Sequence, residues 1–222
     1  MTATSDGGDP SPRELDSIRI RSRGVIDAQT RSHQLGSMLV ARGDPRIVIC
    51  DPHLVASTRA LERLVRAGDS SWTVRIVEAP VDGVWRVVAA VAEGSDLLLP
   101  STRRKARSKT APEPALRWER ARFEDGTDTY PVDFATAAIT AASGAASLRS
   151  SAAMRDLVLA HCNGRPGCEL FDHADGTREI AWFGSGLGEG RYRGWWGVDP
   201  GGVAVVLVAP FLALPTLSLI HI

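Results

Sequence analysis

Residues 183–202, "FGSGLGEGRYRGWWGVDPGG", hold most of the side chains whose types and spacing could do chemistry. Arg191 and Arg193 stand four and two residues before Trp195, so in a strand all three share one face, while Tyr192, Gly194, Trp196 and Val198 share the other. Forked guanidinium donors beside an aromatic ring suit an anionic or aromatic ligand, held by paired hydrogen bonds and cation–π attraction. Ser185 and Glu189 on the adjoining loop complete this candidate ligand site. The same pattern also describes a solvated arginine pair lying over a half-exposed ring.

Acid/base chemistry would draw on Glu119 in "WERA", Asp133 in "YPVDF", Glu189 and Asp199. It needs two of these within reach of one substrate. Asp199 before Pro200 reads as the first residue of a type I or II turn, Asp133 as a helix cap, and Glu119 as the partner of a cross-strand arginine such as Arg86. No catalytic residue is assigned. The eight glycines of residues 183–202 do not make a phosphate cradle, because the aromatic, β-prone chain beyond Gly190 has no helix to aim amides at an anion. Neither dinucleotide nor P-loop spacing occurs in the stretch, and Phe183 occupies the first glycine position of a nucleophile elbow. Glycines here are expected to serve turns and close backbone approach under large rings.

Four donors, His161, Cys162, Cys168 and His173, cluster in "HCNGRPGCELFDH". Five residues separate the thiols, wider than zinc sites prefer, and adjacent His161 and Cys162 would point apart on a helix, so no metal and no cofactor is expected. The basic run Arg103, Arg104, Lys105, Arg107 and Lys109 lacks interleaved aromatics. Twenty-six basic residues balance twenty-six acidic ones, so no whole-molecule field gathers nucleic acid.

The elements that must position these residues read mostly as strands. "RIVICDP" is a strand entering a helix, with Asp51 as N-cap and Pro52 first; Leu54, Leu61, Leu64 and Val65 extend that helix over 52–67. Asp82-Gly83 divides 72–92 into a hairpin whose second arm, 87–92, looks like a central strand. Residues 101–114 are a surface loop. Residues 116–123 and 128–134 flank an Asp125-Gly126 loop and form a second strand pair. A weak Ala-rich helix covers 137–148, a short helix capped by Ser151 follows, and 179–183, 191–198 and 203–208 close the chain as a meander.

The ends differ from this. Residues 1–24 are polar, carry no apolar core of a signal peptide, and read as a disordered tail. The final twenty residues would pass a hydropathy window for a membrane span. The β-branched run 203–208 directly after a turn, and the interruptions at Pro210 and Pro215, favour a buried strand. The last six, "LSLIHI", match the translation of a transposon mosaic-end adapter from sequencing libraries, which would end the authentic chain near Thr216. With 222 residues, 44% of them apolar, the composition suits one soluble domain, and three cysteines, an odd number, favour the cytoplasm.

The segments "VICDPHLV", "APVDGVW", "RWERA", "YPVDF" and "FGSGLGEGRYRGWWGVDPGGVAVVLVAPF" resemble, in order and spacing, the bacterial family known as domain of unknown function 4241. The likeness covers residues 35–211. Its last block is the most specific, being similar to SGWGDGxYxxYxGxDxxGxVVxLVxDF through Ser185, Gly186, Gly188, Gly190, Tyr192, Gly197, Asp199 and Gly202. Leu187 stands where the family has tryptophan, Glu189 replaces an aspartate, and Ala209 replaces the aspartate of the closing pair. The resemblance brings no activity with it.

Together these readings predict a single α+β domain over 25–216, mostly antiparallel sheet, sandwich-like or strongly curved, with two or three helices. The expected role is a non-catalytic binding or protein-interaction module, taking another protein or a small anionic ligand, with no nucleic acid and no membrane. The alternative is a hydrolase or ligand-processing enzyme around loop 184–190, which requires Glu189, Arg191, Asp133 and Glu119 to converge on one concave pocket.

Overall fold

A computed structural model describes residues 9–24, 29–40, 43–55, 57–65, 70–95, 115–133, 135–150, 167–172, 178–185 and 188–211. Within them the chain is mostly antiparallel sheet with two α-helices, an α+β fold. The Asp82-Gly83 hairpin forms as expected between β3 (Ser70–Val81) and β4 (Val84–Gly94). Both turn residues take positive φ, 50° and 77°, as a two-residue turn matched to strand twist requires. β1 (Arg31–Val40) flanks β3, and β12 (Ala204–Pro210), β11 (Trp195–Val198) and β5 (Arg117–Arg120) follow β4 on its other side. The six strands run in the order β1-β3-β4-β12-β11-β5. β4 is central, and its residues 87–92 are all buried because both faces of the sheet are covered.

A second sheet, ordered β2-β7-β9-β8, comprises β2 (Ile47–Cys50), β7 (Thr136–Ala141), β9 (Arg178–Gly184) and β8 (Gly167–Asp172). The main core lies between the two sheets. Ile49, Ile139 and Phe183 from the smaller one meet Val74, Ala90, Trp196 and Leu207 from the larger. Trp72 and Trp196 cross edge to face with centroids 6.2 Å apart. Helix α1 (Pro12–Ser22) covers the outer face of the large sheet through Leu15 and Ile18, and α2 (Ala142–Ser150) covers the small sheet through Ala145 and Leu148. The layers therefore run helix, sheet, sheet, helix. A two-stranded ribbon of β6 (Tyr130–Val132) and β10 (Gly190–Tyr192) completes the described elements.

Several expectations are corrected. The N-terminal stretch read as disordered contains α1, opened by a Ser11/Glu14 capping box with Pro12 beside it. The helix expected over 52–67 stops after one 3-10 turn, Pro52–Leu54, with Asp51 as its cap. Beyond it the chain is extended: Leu61 N donates to Ile47 O, Glu62 N to Arg122 O and Val65 N to Pro45 O, and Leu61 bridges Phe123. Backbone bonds to two neighbouring segments outweigh the helical spacing of the leucines, and Leu64 is left 60% exposed. The Ala-rich segment is strand β7 up to Ala141 and helix only after it. β5 and β6 do not pair with each other; β5 pairs with β11 and β6 with β10. The closing meander is likewise split among three sheets, with only β11 and β12 forming a hairpin. Chain beyond Gly190 is strand rather than helix, as expected, and 204–209 is a buried strand. Among the described residues no helix is long and apolar enough to cross a membrane. Residues 101–114, the helix capped by Ser151 and the adapter-like end lie outside the described residues.

Helix α1 is fixed by charge as well as by leucines. Glu93 of β4, 2% exposed, accepts from Arg19 Nε at 3.1 Å and from Arg23, and Arg75 Nη1 stands 3.4 Å away. Burial pushes the Glu93 carboxyl up, but Arg23 and Arg19 together bring it below its ordinary value of 4.5. A carboxylate with a depressed folded pKa contributes stability above its unfolded value, and that contribution is lost as pH falls through the folded one. Stability measured by urea unfolding should therefore drop as pH falls below about 4.5, and Glu93→Gln should flatten that drop while costing on the order of 3 kcal/mol at pH 7. A Cβ on Gly194 would meet Ile49 Cδ1 at 2.9 Å and Ala121 Cβ at 3.3 Å inside the closed core. Gly194→Ala should cost about 1–3 kcal/mol by the same assay.

Candidate functional site

The glycine-rich turn between β9 and β10 is organised around one carbonyl. Ser185 Oγ and Tyr192 Oη both donate to Gly188 O, each at 3.0 Å, and Gly188 has φ of 96°. Ser185 is fully buried, and its amide donates to Ala135 O at 2.9 Å. Ala135 is held at φ 53°, a strained value for a residue with a Cβ, at the entry to β7. Burial pushes the Tyr192 phenol up, and the Ser185 hydroxyl offsets part of that. Ser185 therefore shapes the turn, with its hydroxyl hydrogen committed to the Gly188 carbonyl.

The other expected residues distribute as follows. Gly190 pairs with Val132, which leaves exposed Glu189 and exposed Asp133 at the same end of the ribbon. Asp133 caps no helix; its amide donates to Asp51 Oδ2 at 2.9 Å, and the buried Asp51 also accepts from His53 N. Arg191 reaches across the ribbon, donating from Nε and Nη2 to Thr129 Oγ1 at 3.0 and 2.8 Å. Arg193 Nε stands 3.3 Å from Asp128 Oδ2, and its Nη1 lies 3.6 Å from Asp9. Glu119 is elsewhere, on edge strand β5 opposite Trp196, paired with Arg63 and with Arg117 Nη2 at 2.6 Å rather than with Arg86. Asp199 opens its turn as expected, accepting from Gly202 N through its carbonyl and from Val203 N through Oδ1. A depression of about 380 Å³ at that turn is lined by Arg117, Val198, Asp199 and Pro200 among others, and by none of Glu189, Arg191, Asp133 and Glu119.

Trp195 corrects the expected half-exposed ring beside the arginine pair. It is 8% exposed, because α1 covers that face of the sheet, and the guanidinium over it belongs to Arg120, 5.7 Å from its centroid. Arg120 also pairs with Asp9 and, at 3.3 Å, with Asp128. Strand pairing thus brings Arg120 to Arg193 over two shared carboxylates, with Arg191 alongside on Thr129. Arg120, Asp9 and Asp128 were not singled out in sequence, since only the β5–β11 register makes them neighbours.

A second polar cluster was also missed. Glu78 of β3 is 1% exposed, and its Oε2 lies 2.6 Å from Arg31 Nε and 2.8 Å from His33 Nε2. Arg31 also lies over the exposed Trp85 ring, 4.5 Å from its centroid. Glu78 Oε1 is buried without a partner among the described residues, a loss of about 1–3 kcal/mol or more for a charged acceptor. Arg31 and His33 share a strand face at i, i+2, but only the register opposing Arg31 to Glu78 assembles the group.

His161, Cys162 and His173 lie outside the described residues, as does the side chain of Cys168. Among the described residues no cluster could hold a metal, and burial pushes the Cys50 thiol up to about 12, which makes it inert. The chain matches no protein-family model, no curated protein and no solved structure. Ser185→Ala should keep the fold but lower stability by about 0.5–1.5 kcal/mol in urea unfolding, the share of one hydrogen bond.

Proposed function

We propose that the chain is a non-catalytic binding module that takes an acidic segment of another protein on the face formed by Arg120, Arg191 and Arg193. One observation carries the reading: three guanidinium groups meet only two carboxylates there, and Arg191 has a threonine hydroxyl but no carboxylate among the described residues. Such exposed forks recognise carboxylates bidentately. Asp9 and Asp128 hold Arg120 and Arg193 in place, and these carboxylate pairs are the ground for expecting a carboxylate-bearing partner. The hydrolase alternative would require Glu119 to leave Arg63 and Arg117 and to converge with Glu189, Arg191 and Asp133.

Kinship with domain of unknown function 4241 is proposed on the five segments between residues 35 and 211, the block 183–211 being the most specific, and a cytoplasmic setting on the odd cysteine count and the buried Cys50 thiol. Neutral overall charge is the ground for expecting no nucleic-acid partner. Titration with a hexaglutamate peptide at low salt should give saturable binding that weakens as salt rises and falls at least tenfold in Arg191→Ala/Arg193→Ala. Equal binding by wild type and the double variant would remove the arginine face from consideration.

A further inference from the structure

The cluster at Glu78 is separate from the arginine face and has its own unmet chemistry. Glu78 presents a buried carboxylate with Oε2 engaged by Arg31 and His33 and Oε1 without a donor among the described residues. Arg31 uses Nε on Glu78 and one face of its guanidinium on Trp85, leaving its two terminal amino groups without partners among the described residues. Its side chain is 41% exposed, and that of His33 is 52% exposed. An acceptor lacking a donor and a fork lacking a carboxylate therefore stand on either side of one Arg31–Glu78 contact.

We propose that this cluster binds a small amino or hydroxy acid, its carboxylate held by the terminal amino groups of Arg31 and its amino or hydroxyl hydrogen donated to Glu78 Oε1. The half-exposed His33 ring stays on Oε2 and takes no part in holding the ligand, which donates to Oε1. Trp85 fixes the guanidinium plane by stacking, so the fork is already oriented before a ligand arrives. A phosphate is disfavoured because the buried carboxylate repels a dianion, and a metal ion is disfavoured because a guanidinium shares the site. The pairing of one cationic fork with one anionic acceptor selects a ligand that carries both complements.

The test is a nuclear magnetic resonance titration of the full chain with glycine, glycolate and acetate, following the Arg31 Nε–H and Trp85 indole signals, assigned with Arg31→Lys and Trp85→Phe. Glycine and glycolate should shift both signals saturably, and glycine should bind roughly tenfold or more tighter than acetate, the share of a charge-assisted hydrogen bond. Arg31→Ala, at a half-exposed position, should abolish the shift for all three acids, and His33→Ala should leave glycine binding equal or tighter. Glu78→Gln should bring glycine down to the level of acetate. Absence of a saturable shift, equal binding of glycine and acetate, or unchanged binding in Arg31→Ala would overturn the proposal.

Discussion

Everything in this fold depends on two sheets closing on each other with almost no space between them. The chain makes one close approach at Gly194, where it passes from the ribbon strand β10 to β11 and its carbonyl accepts from Ala121 N. There the backbone crosses close over Ile49 of the opposite sheet, which a Cβ would displace. Small residues such as Ala90, Ala92, Ala137 and Ala181 let the sheets come together around Trp72, Trp196 and Phe183. Burial of this kind supplies most of the folding free energy and leaves little freedom for polar groups inside.

The closure also decides where polar chemistry can occur. Side chains on the inner faces are committed to packing, and the two outer faces are taken by α1 and α2. What remains is the rim, and there the structure collects its arginines: Arg120 and Arg193 over Asp9 and Asp128, and Arg31 over Trp85 and Glu78. Glu93 shows the opposite use of the same ion pairing. Its contacts with Arg19 and Arg23 are enclosed beneath α1 and hold a helix rather than a ligand. Exposure of the arginines separates these uses, because a guanidinium open to water can exchange its partner while one sealed under a helix cannot.

Legibility followed the range of the interaction. Asp82-Gly83, the Asp199 turn, the Asp51 cap and the continuous apolar run of β4 depend on residues adjacent in sequence, and they were readable. Helix α1 carried an equally local signal in Ser11-Pro12-Arg13-Glu14, but the polar composition around it argued for disorder. The segment after Pro52 failed for the converse reason. Its leucines have helical spacing, yet Ile47 and Arg122 supply backbone partners that no local pattern announces.

The candidate site divides in the same way. By itself the sequence determined that the glycine-rich segment would run on as sheet and that the fold would be mostly antiparallel, since strand alternation and turn chemistry are local properties. Tertiary structure alone decided that α1 would cover Trp195, that Arg120 would stack on it, that Glu119 would pair with Arg63, and that Glu78 would lie beneath Arg31 and His33. Those outcomes depend on register between strands far apart in the chain, and register is fixed by the fit of the whole core rather than by either strand.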